Sequence, residues 1–294
     1  MNTEKKVTAN RECKSTIFSM LFKDKEKLLS LYNALNNSHY TDVNELEIVT
    51  LENAIYMTMK NDLAFILDCK LSLYEHQSTP NPNMPLRDLF YVSKEYEKLI
   101  NKSTLYSRRK HTIPAPRFVV FYNGMVPQPE KKILKLSDLY QIPEKEPMLE
   151  LQVLVLNIND GNNEALKESC RILKEYMQYV NRVRENIYQK KLSLDEAVEI
   201  TVTECIKEGI LEEFLRENQA EVVAMSIFEF DEEKEWKLIR EDEYQYGLEQ
   251  GLEALINSLK MLCADIETVY NAVIQHEIYK DVTMEQVREL YYAK

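Results

Sequence analysis

Glycine sets the tightest limit on what this chain can fold into: 294 residues contain only five, Gly124, Gly161, Gly209, Gly247 and Gly251. A dinucleotide-binding site or a P-loop needs clustered glycines, because backbone amides must approach phosphate with no Cβ in the way. These five are isolated, and no Gly-Lys-Ser/Thr occurs. Both nucleotide-cradling classes are excluded, and no nucleotide cofactor is expected. A composition of 45% hydrophobic and 29% charged residues is ordinary for a folded chain with a sizeable core.

Cys13, Cys69, Cys170, Cys205 and Cys263 are scattered, odd in number and never at CxxC spacing, which argues against a zinc knuckle and a disulfide framework. His39, His76, His111 and His276 are far apart in sequence. The first residues, MNTEKKVTANRECK, lack the apolar core of a signal peptide. No apolar run approaches the ~20 residues of a membrane helix. The expected setting is cytoplasmic and reducing, with no membrane partner. The net charge of −12 hides an asymmetry: residues 1–136 carry 20 Lys+Arg against 15 Asp+Glu, and the remaining segment carries the whole acidic excess. Polyanion binding is therefore permitted at the front of the chain only.

The pattern predicts a mixed α/β front followed by a helical rear. Apolar positions Ile17, Met20, Leu21, Leu28, Leu31 and Leu35 predict one helix over 15–35, ended by Asn36 and Asn37. Strands are expected at 47–59, 62–68 and 70–77, the last two joined by a tight hairpin at Asp68-Cys69-Lys70. The loop STPNPNMP stops the third strand, and a helix over 85–105 is expected to place Leu86, Leu89, Phe90, Ser93, Tyr96, Glu97 and Ile100 on neighbouring turns. RFVVFY (117–122) and LELQVLVLNI (149–158) read as strands, with an irregular, proline-containing excursion over 125–148 between them. Helices are expected at 163–188, 193–207, 209–219, 250–263, 265–276 and 283–292, with a charged connector over 228–240.

The segment from Asn61 to Arg87 carries the chemistry. Strand side chains alternate, so Glu75 and Gln77 share one face and His76 takes the other. If 62–68 and 70–77 form a hairpin, Asp62 lies at the strand end that adjoins Glu75 and Gln77. Two carboxylates and a backbone carbonyl are hard-oxygen ligands suited to Mg²⁺. A cation held there lowers the pKa of a bound water and stabilises charge developing on a phosphate. Strand-end acids are also common as solvated or ion-paired surface groups, so spacing alone leaves both readings open. Asp68 is a rival carboxylate, placed instead in the turn.

NDLAFILD, followed by LSLYEHQSTPNPNMPLR and FVVFYNG, resembles the PD-(D/E)XK nuclease family of transposase-like, recombination-promoting nucleases. LNINDGNN, LDEAVEITVTECIKEGILEEFLRENQAEVV and GLEQGLEALI resemble that family's continuation, so the likeness covers most of the chain. It implies an α/β restriction-endonuclease-like core over 14–160 and an α-helical C-terminal region over 161–294. It further implies Mg²⁺-dependent hydrolysis of DNA phosphodiester bonds, Mn²⁺ being an alternative cation, in a recombination, mobile-element or defence setting. Asp62 and Glu75 match the family's metal-binding acids, the His76 backbone carbonyl its third ligand, and Gln77 the place where the wider superfamily has a catalytic lysine.

That last departure matters. A glutamine amide orients a water through hydrogen bonds but supplies no charge. Either Gln77 positions the nucleophile while metal supplies the electrostatics, or a lysine such as Lys60 or Lys70 substitutes, or the site is slow. Arg87, Arg108, Arg109 and Lys110 are candidate DNA phosphate contacts. Lys94, Lys98 and Lys102 recur at helical spacing and read as a solvated face rather than a basic stripe. Tyr74, Phe90, Tyr91 and Tyr96 are expected in the core. Paired cuts would need two active sites, which makes a homodimer part of the expectation. The rival reading is a catalytically impaired nuclease fold acting as a DNA-binding or protein-interaction module.

Overall fold

The computed structural model describes residues 16–49, 62–262 and 265–292. The apolar face expected to form one N-terminal helix is split in two. Thr16 caps α1 (Ile17–Phe22) by accepting from the Ser19 amide at 3.1 Å. Asp24 then starts α2 (Lys25–Asn36) by accepting from the Lys27 amide at 3.0 Å. Asp24 stands in the gap between Leu21 and Leu28 of the apolar face, and its side chain competes for backbone amides that one continuous helix would use. Asn37, in the left-handed region at φ 50°, ends α2 where the sequence predicts.

A six-stranded mixed sheet follows, in the order β1-β2-β3-β4-β6-β5. Strands β2 (Leu63–Leu67) and β3 (Lys70–Gln77) form the expected hairpin, paired from Leu63 with Tyr74 to Leu67 with Lys70. Its two-residue turn, Asp68-Cys69, has positive φ at both positions (48° and 56°), the geometry whose twist matches the flanking strands. Helix α3 (Met84–Leu99) carries the chain across to β4 (Ala115–Tyr122), which runs parallel to β3. Strand β6 (Gln152–Asn157) lies parallel to β4. Of the first expected strand, Glu47–Ile48 forms β1 beside β2; its continuation over 50–59 lies outside the described residues.

The excursion over 125–148 is not wholly irregular: Lys131–Lys135 is an edge strand, β5, antiparallel to β6. Its exposed Lys131, Lys132 and Lys135 discourage further strand addition at that edge.

Alternation along the strands divides the core. On one face Leu63, Phe65, Tyr74, Val119 and Phe121 pack with α1, α2 and the helices α5 (Arg171–Tyr188) and α6 (Leu194–Glu208). On the other, Ala64, Leu71, Leu73, Phe118, Val120 and Val153 pack with Met84, Tyr91 and Val92 of α3. The helix expected over 163–188 is broken at Cys170, whose extended backbone (φ −126°, ψ 92°) separates α4 (Glu164–Ser169) from α5. Ser193 caps α6 reciprocally: its hydroxyl accepts from the Glu196 amide, and the Glu196 carboxylate accepts from the Ser193 amide at 3.2 Å. Ser193→Ala is expected to cost about 1 kcal/mol. In a unit of this size that lowers the melting temperature by about 2–4 °C, read by calorimetry.

Helix α7 (Glu212–Glu217) leads to α8 (Gln219–Met261), which runs through the segment expected to be a connector. Residues 228–240 contain neither Gly nor Pro and are dominated by good helix formers, so charge density alone does not interrupt the helix. The chain divides into two compact units, Met1–Glu233 and Lys234–Lys294. The first unit thus extends past the expected boundary at 160, because α5 and α6 cover one sheet face. In the second unit, α9 (Ile266–Ile274) and α10 (Met284–Tyr292) contribute Val269, Val273 and Val287 to a small core with Leu252, Ile256 and Tyr279. Among the described residues, no helix is long and apolar enough to cross a membrane.

Candidate active site

The β2–β3 register sets Asp62, one residue ahead of β2, beside the end of β3 that carries Glu75, His76 and Gln77. The Asp62 carboxylate accepts the His76 backbone N–H at 2.7 Å, which fixes one of its oxygens against the strand. The expected alternation holds. Glu75 is only 4% exposed and faces α3. The His76 ring lies on the opposite face, stacked on Phe18 (centroids 5.3 Å apart, planes at 17°), with Nε2 3.0 Å from the Tyr176 hydroxyl.

Helix α3 supplies the other wall. Arg87 Nη2 lies 3.8 Å from Glu75 Oε2 and donates to the Tyr91 hydroxyl at 3.0 Å, with the guanidinium over the Tyr91 ring. The most deeply buried residues of this helix include Met84, Asp88, Tyr91, Val92 and Glu95, with Leu89 and Tyr96 partly buried against the same core. Leu86 and Phe90 are 40% and 43% exposed, so Phe90 is not a core residue. The inward stripe contains two acids, Asp88 and Glu95, which apolar periodicity alone does not select.

Three carboxylates therefore gather near one guanidinium. Burial, and secondarily the Asp62 and Asp88 carboxylates, push Glu75 well above its ordinary range, with Arg87 opposing. Burial lifts Asp62 to about 6 against the pull of the His76 amide and Arg87. Burial lifts Asp88 to about 7, again with Arg87 opposing. On the far face, burial and then the Arg184 charge lower His76 to about 3, so its ring is neutral and structural. Glu75 Oε1 and Asp88 Oδ1 are buried with no hydrogen-bond partner among the described residues. Unpaired buried carboxylate oxygens are costly and call for a proton or a cation.

Raised acid pKa values have a definite consequence for stability. Between about pH 4 and pH 7 the folded chain holds protons that the unfolded chain has released, so these groups cost nothing at the acid end and progressively more as pH rises. Asp62→Asn is expected to gain stability relative to the wild type as pH rises through that window. A divalent cation, if held by the wild-type carboxylates, would shrink the gap. Urea unfolding at both pH values, with and without Mg²⁺, reads both effects.

The donors present suit a hard divalent cation. Two carboxylates are enough for an ion that retains several waters. No three His, Cys, Asp or Glu side chains stand together in a metal-holding group among the described residues. Asp62 and Glu75 are the pair that would hold the ion, with His76 next in the strand.

The remaining expected residues divide. Gln77 is on the Glu75 face, and its amide nitrogen donates to the Met84 sulfur. Lys70 pairs with Asp68 at the turn (3.9 Å), five residues along β3 from Glu75, and so does not replace the missing lysine. Lys60 lies outside the described residues. Arg87 is brought to the carboxylates, whereas Arg108, Arg109 and Lys110 are not. Their loop enters β4 at Ala115, which pairs with Lys70 at the opposite end of β3 from Gln77. Lys98 pairs with the buried Glu95 (3.2 Å), and Lys102, past the end of α3, pairs with the exposed Glu97 (3.1 Å).

Sequence reasoning missed Asp88 and the role of Tyr91. The available signal was an acid at i+4 from Met84 on a helix whose first turn is set by Pro85. Comparisons with protein-family models, curated proteins and solved structures found no match to this chain.

Proposed function

We propose that the chain is a divalent-cation-dependent DNA endonuclease with a PD-(D/E)XK-type core, acting in a recombination, mobile-element or defence setting. The observation that supports it best is the meeting of Asp62 and Glu75 at the open end of the β2–β3 hairpin, with Glu75 Oε1 buried and unsatisfied. Such a pair matches the acids that the sequence resemblance assigns to the metal site.

In this reading Asp62 and Glu75 would hold Mg²⁺ or Mn²⁺, with the His76 carbonyl as the third ligand that the resemblance implies. A cation bound there would lower the pKa of a bound water and offset charge developing on the phosphate. The chain's own residues do the rest. The His76 amide keeps the Asp62 carboxylate in place at 2.7 Å. Gln77, whose amide is oriented by Met84, aligns the attacking water through its carbonyl oxygen. Arg87, 3.8 Å from Glu75, supplies the fixed positive charge that a glutamine lacks. This assigns to the arginine of α3 the electrostatic part of the superfamily lysine's work. Arg108, Arg109 and Lys110 then contact phosphates other than the one cleaved, since about 17 Å of strand separates Lys70 from Glu75.

The test is nicking of supercoiled plasmid by the purified protein in Mg²⁺, Mn²⁺ or EDTA, beside Asp62→Ala and, as a control at the far end of the strand, Lys70→Ala. Nicking that needs metal, persists in Lys70→Ala and disappears in Asp62→Ala supports the reading. DNA binding without metal-dependent nicking in any variant overturns it in favour of a binding module.

A further inference from the structure

We infer that Asp88 is a third acidic member of the cation site, acting on the ion through its retained waters rather than by direct ligation. This inference rests on the cation-site reading of Asp62 and Glu75. Asp88 is 1% exposed, among the most deeply buried charged side chains of the chain, yet it sits on α3 one residue from the arginine that reaches Glu75. A buried carboxylate normally has its oxygens satisfied. Asp88 Oδ1 has no partner among the described residues, and neither has Glu75 Oε1. One oxygen belongs to β3 and the other to α3, and the Asp88 charge acts on Glu75.

Charge balance points the same way. Ionised together, as a bound cation would require, Asp62, Glu75 and Asp88 carry three negative charges against the single positive charge of Arg87. The deficit is two, the charge of a divalent cation. No three His, Cys, Asp or Glu side chains form a metal-holding group among the described residues, so with Asp62 and Glu75 as the inner pair Asp88 stands outside it. An ion of the Mg²⁺ class keeps waters whose O–H bonds need acceptors. Asp88 Oδ1 provides one in a place where the apolar residues Met84 and Val92 provide none. Carboxylates in this position orient the inner shell and strengthen binding without touching the metal.

The experiment measures Mn²⁺ binding, by electron paramagnetic resonance of the free ion, to full-length wild type, Asp62→Asn and Asp88→Asn, with a thermal melt of each. No DNA is present, so activity does not enter. Asp88→Asn is expected to melt no lower than the wild type without metal and to bind Mn²⁺ about 10–100-fold more weakly. Asp62→Asn is expected to lose more. If Asp88→Asn folds poorly, Asp88→Ser replaces it with the same expectation. Wild-type affinity in the folded Asp88 variant, beside lost affinity in Asp62→Asn, overturns the role of Asp88 and leaves the site standing. Absence of Mn²⁺ binding by the wild type overturns both.

Discussion

Glu75→Gln is expected to lower metal-dependent plasmid nicking by about a thousandfold or more, about 4 kcal/mol of lost transition-state stabilisation. The same change is expected to raise the melting temperature of the metal-free protein. Both follow from one geometry. Glu75 feels the charges of Asp62 on the hairpin and Asp88 on α3 and is almost fully buried, with one oxygen unsatisfied among the described residues. Ionised, it repels both neighbours, and the Arg87 charge at 3.8 Å offsets this only in part. Glutamine keeps the shape and gives up the charge, so the folded metal-free chain no longer has to hold a proton there. The gain is absent near pH 4, where the acid is neutral in both states, and grows toward pH 7. The ion, however, loses one of its two carboxylates. Initial nicking rates and calorimetry at the two pH values read the pair of effects together. Rate and melting temperature falling in parallel would mark Glu75 as a structural acid.

Gly124→Ala is expected to be the most damaging small substitution near the site. After β4 the chain passes so close to the end of β3 that a Cβ at Gly124 would lie 1.7 Å from the Ser78 carbonyl oxygen and 2.6 Å from the Tyr122 hydroxyl. The first of these is backbone and is held on both sides. Asn123 N–H donates to the Gln77 carbonyl at 3.1 Å, and the Gly124 carbonyl accepts from Asn159 at 2.9 Å. Relief requires prising β3 and β4 apart immediately beside Gln77. A cost of about 3 kcal/mol or more is expected. That corresponds to a fall of about 6–12 °C in melting temperature for a unit of this size. Nicking by the surviving folded fraction should fall as well, because the displaced strand end carries Glu75 and Gln77. A melting temperature unchanged within error would show that the two strand ends are not in contact.

How much of this is legible in the sequence depends on whether one local rule settles the outcome. The β2–β3 hairpin is legible because alternation on both sides of Asp68-Cys69 leaves room for only a tight turn, and with it comes the placement of Asp62 beside Glu75. The end of α2 at Asn37 is legible for the same reason. The face of α3 is not. Its buried stripe includes Asp88 and Glu95, which apolar periodicity discards, while Leu86 and Phe90 draw attention to the exposed side. Strand β5 is hidden among prolines, and its KKILK sequence gains strand character only by pairing with β6. The break at Asp24 is hidden because the seven-residue step from Leu21 to Leu28 keeps the helical phase, and the continuity of α8 by a charge run that resembles a linker. At the site, the carboxylate pair was readable from the strand pattern. The positive charge and the third acid were not, because both arrive from a helix whose orientation is decided by tertiary packing.

The claim that the hairpin end is a divalent-cation site is tested most directly by locating the ion. Crystals of the full chain grown with Mn²⁺ and measured at the manganese absorption edge should show an anomalous peak about 2–2.3 Å from carboxylate oxygens of both Asp62 and Glu75. Asp88 should face that peak at water-bridged distance. No peak at the carboxylates, with Glu75 still against Arg87 alone, would contradict the account.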